Sequence, residues 1–292
     1  ILMEHGHGHG HGAQMTPEQQ KLMIEQEIKI AQHLGKIKYK IAVMSGKGGV
    51  GKSTVAANLA EAFQKKGFKT GILDADIHGP NIPKMLGVDG NFVTVDEENL
   101  MVPIENESGI EVMSMAFLLD DKKTPIIWRG PQKTGTIKQL ISDVNWGDLD
   151  VLIIDNPPGT GDEPLTVLQT IPNIDAVVMV TTPNDVSQDD VVKCVGMVDL
   201  LNIKKIGLVE NMAYFTCPHC EEPIKMFGEN QGAEFAEELG IEFLGDLPLT
   251  PRVADSANLG KSIVSLNANS ELGEKFMFIA DEIEKDFFED KL

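Results

Sequence analysis

The chain has 292 residues, 42% of them apolar and 24% charged, and a formal net charge of -20 at pH 7. It is long enough to bury a full α/β core, and its composition is that of a soluble globular protein. The negative charge argues against a nucleic-acid partner, whose phosphates would be repelled. We also expect no membrane partner, because the sequence holds no apolar run of about 18 residues and its polar start does not resemble a signal peptide.

The N-terminal segment 1–15 alternates histidine with glycine at positions 5, 7, 9 and 11. Such a tract has too little apolar surface to pack, and we predict a disordered arm. It is either a tag, which Ile1-Leu2 before Met3 favours, or a native metal-binding arm. Residues 16–36 are predicted to form a helix with a capped start. The residues that signal this start are Thr16, Pro17 and Gln19.

Residues 46–54 read GKGGVGKST, a phosphate-binding loop whose glycines let the backbone wrap closely around phosphate oxygens. An apolar strand is predicted before it, over residues 37–44, and an amphipathic helix after it, over residues 53–64. The loop amides and the helix N-terminus then face the anion. The alternative, a glycine-rich turn that binds nothing, leaves this strand–loop–helix order unexplained. The predicted nucleotide-binding residues are Gly46, Lys47, Gly48, Gly49, Val50, Gly51, Lys52, Ser53 and Thr54.

Two lysines in this loop have different expected roles. Lys52 is expected to neutralise charge on the β- and γ-phosphates of ATP, beside the Ser53 hydroxyl that binds Mg²⁺. Lys47 stands near the start of the loop, where an ordinary loop of this type needs no lysine. Its placement resembles the deviant P-loop ATPases, the group of MinD, ParA, the nitrogenase iron protein and the Mrp/ApbC cluster carriers. The resemblance implies an ATP-dependent homodimer in which Lys47 acts on the partner's nucleotide; the alternative is a solvated loop lysine.

After the loop, strands and helices alternate, which predicts an α/β fold with a doubly wound, mainly parallel sheet flanked by helices. The sequence shows no internal repeat and no linker, so residues 37–292 are assigned to a single P-loop ATPase domain. Further strands are predicted at Thr70–Leu73, Ile110–Ser114, Val151–Ile154, Ala176–Val180, Ile206–Val209 and Phe243–Gly245. Further helices are predicted at Lys133–Asp143, Asp185–Leu201, Gln231–Leu239 and Leu272–Phe287.

Acidic residues follow two of these strands. Asp155 ends the apolar run that begins at Val151, which is how a P-loop ATPase presents the carboxylate on the magnesium side. Asp74 and Asp76 follow another strand; Asp76 is the candidate for positioning the attacking water, and Asp74 for supporting the metal shell. The alternatives are a strand-terminating turn residue at Asp155 and turn-capping acids at the other two positions.

Several sequence blocks, in order, resemble the Mrp/ApbC branch of cluster-carrier ATPases over roughly residues 38–265. They are DADIHGPNIP (74–83), WRGP (128–131), PPGTGDEPLT (157–166), TTP (181–183), ENM (210–212) and PLTPRV (248–253). The resemblance implies that Asn211 recognises the adenine edge and that the segment from Pro248 walls the base. Two positions depart from the family pattern: Asn156, where an apolar residue is usual, and His78, which we interpret as a loop residue rather than a metal ligand.

The motif CPHC places Cys217 and Cys220 on one tight turn, which suits a shared metal or cluster. A lone pair at this spacing leaves cluster ligation, zinc binding and redox chemistry open. A [4Fe–4S] cluster takes about four thiolates, and the other cysteine, Cys194, falls on an apolar helical stripe and is predicted to be buried. Two chains supply four ligands, in agreement with the resemblance, which implies a labile [4Fe–4S] or [2Fe–2S] cluster bridging a homodimer. His219 is expected to stay outside the ligand shell.

Together these features predict an ATP-dependent iron–sulfur cluster carrier that delivers its cluster to apoproteins and hydrolyses ATP slowly as a conformational switch. Free thiols beside phosphate chemistry indicate a reducing cytoplasm. A nickel- or zinc-delivery ATPase of the same superfamily is the nearest alternative, and a native His-rich arm would favour it. A MinD- or ParA-like positioning ATPase is disfavoured. Membrane binding would need a basic amphipathic C-terminal helix, whereas residues 281–292 are acidic, and DNA binding would need a basic face, which the negative charge of the chain disfavours.

Overall fold

Strands and helices alternate along most of the chain. The computed structural model describes residues 16–118, 130–217, 219–220, 222–229 and 231–288. The helices are α1 (Pro17–Leu34), α2 (Lys52–Lys65), α3 (Ile82–Met85), α4 (Gly130–Ser142), α5 (Asp162–Thr170), α6 (Asp185–Leu200), α7 (Gly232–Leu239), α8 (Arg252–Asn258), α9 (Ile263–Asn267) and α10 (Glu271–Phe287), with a 3₁₀ helix at Met115–Leu118. The strands are β1 (Tyr39–Met44), β2 (Thr70–Asp74), β3 (Thr94–Val95), β4 (Met101–Val102), β5 (Ile104–Glu105), β6 (Glu111–Ser114), β7 (Val151–Asp155), β8 (Ala176–Thr181), β9 (Ile206–Glu210), β10 (Phe215–Thr216), β11 (Pro223–Ile224) and β12 (Glu242–Asp246).

Eight of these strands form one sheet in the order β12-β9-β8-β1-β7-β2-β6-β5. Every neighbouring pair is parallel except β5 with β6 at one edge. The central strands β1, β7 and β8 are buried along their whole length, because their apolar runs are covered on both faces. This topology confirms the predicted doubly wound, mainly parallel α/β fold.

Two apolar cores lie on opposite faces of the sheet. Successive residues of β1 alternate between them, as strand geometry requires, with Ile41 in one core and Ala42 in the other. The first core packs under α2 and α10, where Phe63 is fully buried. The second packs under α1, α4 and α6, and includes Ile141. Helices on both faces leave the ends of the strands as the place for functional loops.

The N-terminal helix α1 lies within the segment predicted to be helical. It begins at Pro17 and buries Ile30 and Leu34 against the second core, while Leu22 and Ile28 on the same helix stay exposed. The predicted arm at 1–15 lies outside the described residues. Among the helices that the structure describes, none has both the length and the apolar character needed to cross a bilayer.

Five strands end one residue later than predicted, and for two of them, β2 and β7, this difference matters for the site. Asp74 and Asp155 are the last residues of β2 and β7 rather than loop residues after them. The structure also adds helix α5 where the sequence pattern suggested only a turn-rich block. No helix was predicted here because Gly161 and Pro164 usually indicate a turn, although proline is well tolerated in the first turn of a helix.

Candidate functional site

The phosphate-binding loop connects the carboxyl end of β1 to the start of α2, in the middle of the sheet. Gly49 and Gly51 have φ angles of 85° and 89°, which residues with a Cβ rarely adopt. Gly51 also occupies the N-cap position of α2, so the helix N-terminus opens directly into the loop. The backbone therefore has the conformation that a phosphate cradle needs.

Neighbouring side chains pack closely against two of the loop glycines. A Cβ on Gly51 would lie 2.2 Å from Nδ2 of Asn211, and a Cβ on Gly46 would lie 2.4 Å from Cβ of Asp190. Asn211 follows β9 and donates a hydrogen bond of 2.8 Å to the carbonyl oxygen of Val50. The predicted adenine-recognition residue is thus fixed to the phosphate-binding loop itself.

Lys52 and Asp155 form a buried ion pair at the floor of this loop. Lys52 Nζ lies 2.6 Å from Asp155 Oδ1 and 3.9 Å from Asp76 Oδ2. The second oxygen of Asp155, Oδ2, is buried without a hydrogen-bond partner. Burial raises the pKa of Asp155, while Lys52 and the Ser53 hydroxyl oppose that rise. A buried carboxylate oxygen with no partner, beside a hydroxyl, is chemistry that fits Mg²⁺, a cation that prefers oxygen ligands.

Asp74 lies directly beside Asp155, its register partner on the neighbouring strand. Its Oδ2 accepts hydrogen bonds from Ser114 Oγ at 3.0 Å and from the Ile82 amide at 3.2 Å. Complete burial and the charge of Asp155 raise the pKa of Asp74 well above its ordinary value. The protein's own donors therefore occupy Oδ2 of Asp74. Ser114, which holds it there, was not identified from the sequence.

Asp76 lies in the turn after β2, and its carboxylate is held by that turn. Its Oδ1 accepts backbone hydrogen bonds from His78 at 3.0 Å and from Gly79 at 3.3 Å. Its other oxygen is the one that faces Lys52. The arrangement leaves one carboxylate oxygen beside the phosphate-binding lysine, as a residue that orients a water molecule requires.

Lys47 has a different partner from Lys52. Its Nζ lies 3.3 Å from Oδ1 of Asn184, the residue that caps the N-terminus of α6. The carbonyl oxygen of Lys47 accepts a hydrogen bond of 2.9 Å from Ser45 Oγ. The two loop lysines therefore bind different acceptors within one chain.

Pro248 lines a cavity of about 370 Å³. The lining residues are Phe215, Thr216, Pro248, Leu249, Thr250, Pro251, Arg252, Ile263, Ser270, Glu271 and Leu272. The cavity wall is hydrogen-bonded to the chain that follows Asn211: Leu249 N donates to Tyr214 O at 2.7 Å, and Ala213 N donates to Leu247 O at 2.9 Å. Asn211 itself lines the phosphate loop and not this cavity.

The two motif cysteines lie on a small hairpin, described at residues 215–217, 219–220 and 222–224, which we call the cysteine hairpin. Strands β10 and β11 pair in it, and Cys217 N donates to Glu222 O at 3.0 Å to close the turn. Cys220 is exposed, and hydrogen bonds from the amides of Cys220 and His219 lower the pKa of Cys217. Among the described residues, no three His, Cys, Asp or Glu side chains lie close enough together to hold a metal ion. In the described part of one chain, this hairpin thus offers a pair of thiols rather than a complete metal site.

Cys194 lies elsewhere, and it is buried as predicted. Its Sγ is 3.7 Å from the carbonyl oxygen of Gly159, and burial raises its pKa to about 11. Asn156, the other position singled out in this region, directly follows β7, and its amide donates to Val43 O on β1 at 3.1 Å. Its side-chain Nδ2 and Oδ1 are buried and have no hydrogen-bond partner.

His78 bonds to residues that sequence reasoning did not single out. Its Nε2 lies 3.3 Å from a carboxylate oxygen of Glu163 and 3.1 Å from Nζ of Lys133. It is a loop residue, as expected, yet its side chain is anchored. Of the block 128–131, residues 128 and 129 lie outside the described residues, and Gly130 begins α4.

Comparisons with known proteins agree with this geometry. The chain is 50% identical over 254 residues to the iron-sulfur cluster carrier protein of Methanocaldococcus jannaschii, with 87% of each chain covered. It is 44% identical over 240 residues to a cytosolic Fe-S cluster assembly factor NUBP2 homolog of Dictyostelium discoideum, covering 81% of this chain and 91% of that one. The nucleotide-binding protein of Archaeoglobus fulgidus, solved in complex with ADP, superposes with a TM-score of 0.71 at 39% identity, covering 91% of this chain and 97% of that one.

A family model extends this likeness over most of the sequence. The model describes the ParA-type NUBPL iron-transfer P-loop NTPases, and it matches residues 36–284. The matched range contains the phosphate-binding loop, the three aspartates and the cysteine hairpin described above. The chain therefore belongs to the NUBPL iron-transfer family of P-loop NTPases.

Proposed function

We propose that this protein is an ATP-dependent iron–sulfur cluster carrier, which holds a cluster between two copies of the chain and passes it to apoproteins. The observation that carries the proposal is the position of Cys217 and Cys220. They form an accessible thiol pair, one thiol with a lowered pKa, on a hairpin hydrogen-bonded to the wall of the cavity at Pro248. Two relatives named for cluster transport or assembly support the cargo.

The nucleotide site supports slow hydrolysis of ATP. Lys52 is paired with Asp155 at the floor of the loop, where its ammonium group is placed to neutralise phosphate charge. Asp155 and Ser53 are then the residues that would hold Mg²⁺, with Asp74 behind them, and the ion would offset charge on the phosphates. Asp76 is positioned to orient the attacking water from beside Lys52.

The cluster requires a second copy of the chain. Two thiols from each chain give the four thiolates that a [4Fe–4S] cluster takes. Lys47 supports the same assembly, because its partner among the described residues is the neutral amide of Asn184 rather than a carboxylate, which leaves its charge unneutralised for a phosphate of another chain. We therefore propose a homodimer in which Lys47 acts in trans.

The segment that follows the cysteine hairpin packs next to the residue that binds Lys47. Lys47 bonds to Asn184, and the preceding residue, Pro183, packs so closely on Gly228 that a Cβ there would lie 2.3 Å from the Pro183 carbonyl oxygen. Large apolar side chains are exposed along this stretch. They are Val186 (67% exposed), Met226 (57%) and Phe227 (43%). Their exposure supports this face as the one that meets the second copy.

The same proposal covers cellular location and recipients. A cytosolic relative and the reduced thiols support a cytoplasmic protein that serves apo iron–sulfur proteins. ATP hydrolysis then acts as a conformational switch rather than as rapid catalytic turnover, since nucleotide at the interface changes how the two chains pack.

Anaerobic reconstitution with iron and sulfide tests the proposal. We expect one cluster per two chains by iron and sulfide analysis, a [4Fe–4S] signature in absorption and Mössbauer spectra, and transfer to an apoprotein whose activity requires a cluster. Cys217→Ser and Cys220→Ser should lose the cluster and keep ATP binding, whereas Cys194→Ser should keep both. A full cluster on a monomer, or its loss only in Cys194→Ser, would overturn the shared site.

A further inference from the structure

Three charged or titratable side chains from three separate segments meet beside Asp76. Lys133 Nζ on α4 lies 2.6 Å from Glu163 Oε1 on α5, and His78 Nε2 from the loop after β2 lies 3.3 Å from Glu163 and 3.1 Å from Lys133. Along the chain, Glu163 is 85 positions and Lys133 is 55 positions away from His78. We call His78, Lys133 and Glu163 the latch.

The latch differs in burial from an ordinary surface ion pair. The side chains of Lys133 and Glu163 are only 20% and 21% exposed, whereas His78 at the rim is 60% exposed. Partial burial reduces screening of the Lys133–Glu163 pair by water and salt. Burial alone would raise the pKa of Glu163, but Lys133 and His78 outweigh it and lower that pKa. Glu163 is therefore a fixed negative anchor at the start of α5.

Histidine suits the third position of the latch in either neutral tautomer. With its proton on Nε2 the ring donates to Glu163, and without that proton Nε2 accepts from Lys133. Both arrangements keep the imidazole attached to the same pair. The side chain of His78 is thus tied to α5 whichever nitrogen carries the proton.

The backbone of His78 connects the latch to the reaction. Its amide donates to Asp76 Oδ1, and Gly79 adds a second amide. The other oxygen of Asp76 lies 3.9 Å from Lys52 Nζ. A shift of His78 away from Glu163 would therefore rotate the carboxylate that faces the phosphate-binding lysine.

The latch also reaches the loop on the other side of the site. Glu163 lies in the first turn of α5, which follows the loop from Asp155. In that loop, the amide of Gly159 donates a hydrogen bond of 2.7 Å to the carbonyl oxygen of Ser45, next to the phosphate-binding loop. The turn of Asp76 and the loop after Asp155 are thus joined by side chains as well as through the sheet.

We infer that Glu163, acting through His78 and Lys133, is a positioning residue for ATP hydrolysis: it anchors the turn that aims Asp76. This inference rests on the proposed role of Asp76. Removing the latch should lower kcat without weakening ATP binding, because Lys52 and the loop amides are left in place. A purely structural role would instead lower stability and leave kcat unchanged.

Steady-state ATP hydrolysis by the full chain tests this inference. We expect Glu163→Gln and His78→Ala each to lower kcat about 10-fold, with KM for ATP and reconstituted cluster content unchanged. The double variant should fall no further than either single variant, since both break one connection. His78→Gln, which keeps one donor and one acceptor, should recover most of the rate.

Glu284→Gln is the matched control. Glu284 on α10 lies 2.8 Å from Lys66 at the end of α2, and their side chains are 32% and 17% exposed. Neither residue belongs to the nucleotide site. Equal kcat losses in Glu163→Gln and Glu284→Gln, or additive losses in the double variant of Glu163 and His78, would overturn the positioning role of the latch. Thermal unfolding of each variant shows whether it folds. If Glu163→Gln does not fold, His78→Ala, at an exposed position, still tests the inference. If Asp76→Asn hydrolyses ATP at the parental rate, the role of Asp76 and the latch both fail; if only Asp76→Asn is slow, the latch alone fails.

Discussion

The Lys47 ammonium group lies 3.3 Å from the side-chain oxygen of Asn184, whereas Lys52, five positions along the same loop, is paired with Asp155 at 2.6 Å. One lysine is therefore bound to a buried carboxylate at the floor of the loop, and the other to a neutral amide at the N-terminus of α6. The two cations cannot be interchangeable.

Replacing the two lysines should separate binding from assembly. Lys52→Ala should abolish ATP binding, because it removes the cation at the floor of the phosphate-binding loop and leaves Asp155 without its ion-pair partner. Lys47→Ala should bind ATP almost as well as the parent but fail in hydrolysis or ATP-driven dimer tightening. Titration calorimetry and light scattering with ATP measure the two properties. Parental hydrolysis and cluster transfer by Lys47→Ala would rule out action in trans.

The two aspartates nearest Lys52 should differ in effect. Asp155→Asn should weaken Mg²⁺-dependent nucleotide binding, because the buried carboxylate charge is lost from the floor of the site. Asp76→Asn should spare binding and slow hydrolysis by about 100-fold, the scale of losing a positioned acid–base group. Nucleotide affinity with and without Mg²⁺, together with single-turnover hydrolysis, distinguishes them. Equal, small effects of the two changes would place neither residue at the reacting phosphate.

The three thiols of the reduced, metal-free protein should react at different rates. Burial raises the pKa of Cys194 to about 11, so at pH 8 only about one molecule in a thousand carries that thiolate. Cys217 has a lowered pKa and Cys220 is exposed. We expect mass spectrometry to show two thiols alkylated quickly and the third only after denaturation. Cys194→Ser should leave the fast phase unchanged, and uniform rates for all three thiols would contradict the assignment.

Stability should also depend on pH through Glu61. This residue on α2 is 2% exposed, its Oε2 has no hydrogen-bond partner, and burial raises its pKa above 4.5 despite Ser108 and Lys65. The folded state therefore binds this proton more tightly than the unfolded state. The stability that protonated Glu61 contributes is complete below 4.5 and is lost as pH rises through the raised value.

Glu61→Gln removes that charge, so at pH 7.5 it should raise the free energy of unfolding by about 1 kcal/mol. At pH 4 the gain should vanish. Urea titrations at the two pH values measure it, and Glu98→Gln, at an exposed position, is the control. A gain of equal size at both pH values would show that ionisation of Glu61 is not the cause.

The sequence was sufficient to predict the features that depend on local pattern. The strand, glycine loop and helix around Lys52 are contiguous, and Asp155 ends an unbroken apolar run, so both could be located without coordinates. The Ser114 hydroxyl that holds Asp74 lies 40 positions away, and Glu163 lies 85 positions from His78. Neither partner carries a local signal, because packing of separate segments creates the contact.

The short parallel bridge between Phe215 and Leu249 has a thermodynamic consequence. It joins the strand that leads into Cys217 to the wall of the cavity at Pro248. In the proposed carrier, a cluster at Cys217 and a base at Pro248 would act on one hydrogen-bonded unit, and linkage would make any effect between them mutual. If ATP changes cluster affinity by some factor, the cluster changes ATP affinity by the same factor. A loaded carrier and an empty one would then differ in ATP occupancy at the same cellular ATP concentration.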